Sequence, residues 1–142
     1  MRVREPGEAG HALVETFLLG LLFLVPLIWT LGVLAEIHRA ALATTAAARE
    51  AGADAARSVD LASAGRAVDL AVRLALADHG LSPNAAEVRW RVDPEMPRGA
   101  AVEVTVGVPV TVLQFPFLGR VAGPSVEVTA RHAARIDPYR SR

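Results

Sequence analysis

Apolar and polar residues are segregated along this 142-residue chain into three regimes, each with its own period. Residues 16–35, TFLLGLLFLVPLIWTLGVLA, are twenty positions without a charge. At ~1.5 Å rise per residue, a helix of that length crosses the ~30 Å hydrocarbon core of a bilayer. Beyond it, AEIHRAALATTAAAREAGADAAR keeps helix-forming composition but turns alanine-rich and charged. From residue 86 the period falls to two, the mark of half-buried strands.

The first two regimes predict one helix over residues 11–57, roughly 70 Å long at ~1.5 Å per residue. Pro26 removes one backbone hydrogen bond within it, which membrane helices tolerate. Two rows of small residues run down its outer half at four-residue spacing. One is Ala40, Thr44, Ala48, Gly52 and Ala56, and the other is Ala43, Ala47, Ala51 and Ala55. Such rows let another backbone approach closely. They suit packing against the chain's own sheet or against a neighbouring subunit.

Ser58-Val59-Asp60 breaks this helix, and Asp60 is placed to cap a second that ends at His79-Gly80. Leu70, Leu74 and Ala77, widened by Val72 and Leu76, are expected on its buried face, with Arg66, Asp69 and Arg73 on the solvated one. Three strands follow. EVRWRVD alternates Val88, Trp90 and Val92 with charges, and AAVEVTVGVPVTV places valine at each even position from 102 to 112. SVEVTARHAARID sets Val126, Val128, Ala130, His132, Ala134 and Ile136 against Glu127, Thr129, Arg131 and Arg135. Residues 94–99, with two prolines and a glycine, turn the chain between the first two strands. Pro109 lacks a donor and puts the end of its strand at an edge or a bend. The fold class expected is α+β: a long N-terminal transmembrane helix continuing outside the membrane, a shorter helix, and a three-stranded antiparallel sheet whose dry face a helix covers.

Composition narrows the functions. The fifteen positive charges, all arginine, balance fifteen acids, and no basic patch supports nucleic-acid binding. Cysteine is absent, which excludes disulfides and thiol chemistry. The four histidines, His11, His38, His79 and His132, lack metal-ligand spacing, and the serines lack a nucleophile-elbow context. Glu50 and Asp54, one helical turn apart, read as a solvated stripe, and His132 as a core residue with one hydrogen-bonded nitrogen. No catalytic residue, cofactor or metal is expected. The connector LQFPFLGRVAG carries Phe115 and Phe117, which either meet a partner or fold under the sheet.

The N-terminus carries the informative motif. A polar leader, MRVREPGEAG, has little to bury and is expected to be disordered. A secretory signal peptide would have an apolar core of about 7–15 residues followed by a small-residue cut site, and this run is too long. Gly10 stands five residues before Glu15, and Glu15 opens the apolar run. An acid beside a membrane helix is stabilised by the helix N-terminus at ~0.3–1 kcal/mol and proves nothing alone. The glycine at that spacing makes the pair read as a prepilin processing site. A cut after Gly10 frees an amine on His11 and makes Glu15 the fifth residue of the mature chain. In a low-dielectric filament core, that carboxylate would pair with a neighbour's amine and set the axial step.

Gly10-His11-Ala12-Leu13-Val14-Glu15-Thr16-Phe17 and the alanine-rich block Ala47-Ala48-Arg49-Glu50-Ala51-Gly52-Ala53-Asp54-Ala55-Ala56-Arg57 together resemble TadE/TadF-type minor pilins of the tight-adherence, Flp-like branch of type IV pili. The resemblance implies a pilin-like fold and a leader at residues 1–10 removed by prepilin peptidase. It also implies a helix over 11–57 that crosses the plasma membrane at about 16–35, and an extracytoplasmic domain at 58–142. The implied partners are prepilin peptidase, other pilin subunits, pilus assembly membrane proteins and membrane lipid. Arg2 and Arg4 favour a cytoplasmic N-terminus. The competing expectation is an uncleaved single-pass anchor presenting a binding module outside.

Overall fold

The computed structural model describes residues 6–112 and 123–139, with side chains from residue 12. In chain order its elements are helix α1 (Pro6–Arg57), helix α2 (Leu61–Asp78), a single 3-10 turn (Pro83–Ala85) and strands β1 (Glu87–Arg91), β2 (Ala101–Thr111) and β3 (Ser125–Arg135). The connector aromatics Phe115 and Phe117 lie outside the described residues. Two compact units divide the chain, one up to Ala35 and one from Glu36 onward.

In the first unit, α1 starts at Pro6, so residues 6–10 are helical where the leader composition predicts disorder. Proline suits the first helical position because its fixed φ and missing donor cost nothing there. Extending a helix already nucleated by the apolar run costs little. The helix continues through Pro26, whose carbonyl accepts from Thr30 Oγ1 at 2.7 Å. Thr16 Oγ1 donates likewise to the Ala12 carbonyl at 2.8 Å. Both hydroxyls are thus satisfied inside the helix.

The second unit has its own core. Within it, both small-residue rows of α1 are buried, and Thr44 donates to the Ala40 carbonyl at 2.9 Å. Ala43, Ala47, Ala48, Ala51, Ala55 and Ala56 of these rows join Ala64, Val68, Ala71, Val72, Ala75 and Leu76 of α2, and Val102, Val104, Val106 and Val108 of β2, in one apolar cluster. Gly52 is where α1 meets the sheet. A Cβ there would stand 3.3 Å from His132 Cδ2 and 3.5 Å from Ala134 Cβ. Gly65 meets β1 in the same way, its Cβ position 3.3 Å from Trp90 Cζ2. Close approach, rather than alanine's small buried area, is what the rows provide. The buried valines supply the larger transfer energy, about 1.5–3 kcal/mol each.

α2 is capped as expected at both ends and buries Val72 and Leu76 as expected, but its buried face is shifted away from Leu70, Leu74 and Ala77. Asp60 and Ser63 form a reciprocal capping box, with Ser63 N–H donating to Asp60 Oδ1 at 2.7 Å. Gly80, at φ +69°, closes the other end, and the N–H groups of Gly80 and Leu81 bond to the Ala77 and Leu76 carbonyls. The buried stripe, however, is Ala64, Val68, Ala71, Val72, Ala75 and Leu76, while Leu70 and Leu74 are 59% and 55% exposed. A surface lined with alanine and glycine draws in the side of α2 where small residues and Leu76 lie, which leaves Leu70 and Leu74 outside.

The strands lie in the order β1-β2-β3, antiparallel throughout. Pro109 therefore sits in the central strand, though at a locally open place. β1 reaches only as far as Gly107, so Pro109 pairs with Glu127 of β3 alone. Val112 N–H donates to Pro124 O, and Ile136 N–H to Ala100 O. Even-numbered β2 residues thus bond toward β3, and the nitrogen of Pro109 faces the side β1 has left. His132 is half-buried, and its ring forms no hydrogen bond among the described residues.

Gly52→Leu should cost roughly 1–3 kcal/mol by overpacking against His132 and Ala134, whereas Leu74→Ser should change stability by less than about 0.5 kcal/mol, both read by denaturation of the detergent-solubilised chain. The Ser63 N–H, and then the Ser63 hydroxyl, hold the Asp60 carboxyl below its ordinary pKa. A depressed folded-state pKa means the cap's contribution is full above the ordinary carboxylate pKa and is lost as pH falls through the folded value. Asp60→Asn, which keeps an accepting oxygen, should shrink that acid limb of the stability profile; an unchanged limb would show that Asp60 does not produce it.

Candidate functional site at the N-terminal end of α1

The residues expected to form a processing motif lie on the helix backbone itself. Gly10 and His11 are consecutive residues of α1, with no break between leader and apolar run. Because α1 begins at Pro6, Glu15 is its tenth residue, beyond the first turn where a macrodipole stabilises an acid. The helix N-terminus therefore does not account for Glu15 in the intact chain. Removing residues 1–10 would bring it to the fifth position and next to a new positive amine.

Glu15 is exposed and lines, with Val14, Leu18, Leu19 and Leu22, a shallow apolar depression of about 560 Å³ along one helix face. Glu15 forms no ion pair among the described residues. Around the rest of this segment the apolar side chains are uncovered, from Leu13 at 73% to Phe23 at 74% and Leu34 at 60%. A contiguous apolar surface of this extent requires lipid or protein against it. The helix is long and apolar enough to cross a membrane.

The expected helix-packing residues Ala40, Thr44, Ala48, Gly52 and Ala56 are brought together in the second unit, buried within the chain's own fold. Surfaces left exposed there include the Leu70 and Leu74 stripe of α2 and the wet face of the sheet. On that wet face Arg131 pairs with Glu103 at 2.6 Å, and Glu127 closes over Gly107. A Cβ on Gly107 would stand 2.5 Å from Glu127 Oε1. Sequence reading assigned no role to Gly107; a lone glycine interrupting the run of β-branched residues is the available signal for a close approach.

Compared with protein-family models, curated proteins and solved structures, the chain matches none.

Proposed function

We propose that this chain is a TadE-like minor pilin or pilus assembly protein of a Flp-type type IV pilus, cut after Gly10 by prepilin peptidase and assembled through its apolar helix. The observation that carries the reading is the placement of Gly10 and Glu15 at the head of a fully uncovered apolar helix. Glu15 lies too far from Pro6 for the intact helix's dipole to explain it, and cleavage would give it a cationic partner. Lipid then covers the helix before assembly, and sibling helices after it. The second unit sits outside the cytoplasm, and the chain itself is no enzyme.

One observation favours the uncleaved-anchor alternative: the Gly10–His11 bond lies inside continuous helix. A protease needs that turn opened. Gly10 lowers the cost, since glycine is about 1 kcal/mol worse than alanine in a helix interior, and terminal turns open readily.

Glu15→Ala should leave membrane insertion intact and remove the chain from sheared surface filaments, as read by immunoblot of both fractions. Normal incorporation of that variant would refute the pairing role. Gly10→Leu should leave the chain at its full-length gel mobility; a shift equal to that of the wild type would contradict the cut site.

A further inference from the structure

β3 is the outer strand on the side of the sheet away from β1 and is eleven residues long. Its even-numbered residues bond to the even residues of β2, as the Val112–Pro124 and Ile136–Ala100 bonds flanking the ladder show. The N–H and C=O groups of Ser125, Glu127, Thr129, Arg131 and Ala133 therefore point outward. None has a backbone partner among the described residues. Their side chains stand on the wet face and are exposed. A row of unpaired backbone groups of this length is a template for another strand.

We propose that this edge pairs with β3 of a second copy of the chain, antiparallel, about a two-fold axis at Thr129. Charge selects both the occupant and the register. Only registers that set odd residues opposite odd residues align the outward groups. With the axis at Thr129, Glu127 of each copy faces Arg131 of the other, and Thr129 faces its own equivalent. Moving the axis to Arg131 sets Glu127 opposite Arg135 but places arginine against arginine at the centre. Moving it to Val128 or Ala130 leaves no acid opposite a base, and moving it to His132 sets Glu127 against Asp137. Cross-strand opposite-charge and Thr–Thr pairs are favourable, and like charges opposite one another are not. The charges that repel an arbitrary strand therefore admit this one. Arg131 is already held by Glu103 across the β2–β3 ladder, so its guanidinium is positioned between its own sheet and the incoming carboxylate. On the other face, the half-exposed Val126 falls opposite His132 of the second copy. The contact is isologous, so it closes as a dimer and does not propagate. It goes beyond the pilin reading and does not depend on cleavage.

The chain has no cysteine, so introduced thiols report cleanly in the full-length, membrane-embedded protein. Opposed Cα atoms in a hydrogen-bonded antiparallel pair lie ~5.5 Å apart, within disulfide range. Thr129→Cys should give a disulfide-linked dimer on copper-catalysed oxidation. Ser125→Cys and Ala133→Cys should stay monomeric alone and cross-link when the two variants are co-expressed. Adding Thr129→Pro to both should abolish that cross-link, because its lost donor faces outward and the β2 ladder is untouched. A Thr129→Cys protein that stays monomeric, or that links to a different chain, would overturn the proposal. So would Ser125→Cys and Ala133→Cys each linking alone as readily as Thr129→Cys. Leader removal is read on the same gels from monomer mobility, so failure of the edge pairing is separable from failure of the pilin reading.

Discussion

Twenty-odd residues of uncovered apolar helix cannot be left in water, and this one constraint orders the rest of the chain. The surface from Leu13 to Leu34 has no cover within the described protein, so its free energy is settled by whatever lies against it. Lipid satisfies it without geometric demand. A bundle of like helices satisfies it too, but only if the polar groups on the helix are also satisfied. Thr16 and Thr30 meet that condition by bonding back to their own helix. Glu15 does not, and it is the group whose partner an assembly would have to provide.

The same helix is used differently beyond Glu36. There it presents alanine, threonine and glycine, and those positions are consumed by α2 and the sheet. The division of labour follows from side-chain size. Large apolar residues gain most from a fluid or adaptable environment, while small ones gain only where a rigid surface comes close enough to touch the backbone. One continuous helix is thus an uncovered apolar surface along its first part and the structural floor of a small α+β unit along its second.

Much of the architecture was legible because it follows from strict periods. The two-residue alternation located all three strands, and Asp60, His79 and Gly80 located both ends of α2, since caps and turns are set by local chemistry. What escaped was set by tertiary partners. Hydrophobicity put Val72 and Leu76 inside correctly but also Leu70 and Leu74, whereas the alanine-lined neighbour selected Ala64, Val68, Ala71 and Ala75. Pro109 put the end of its strand at an edge or a bend, and the end is an edge within a central strand, because β1 stops at Gly107. That the strand is otherwise central was set by its partners. Leader composition suggested disorder, yet Pro6 begins a helix that the apolar run has already nucleated. The candidate site was legible as a spacing, Gly10 to Glu15. Its register on α1, which removes the dipole explanation for Glu15, needed the helix start.

The proposed pairing needs Glu15 to belong to a mature chain whose first residue is His11. N-terminal sequencing and intact mass of the protein extracted from cell membranes test it directly. A species beginning at His11 is the expected result. A population that uniformly retains residues before Gly10 would contradict it and leave the apolar helix as a plain membrane anchor.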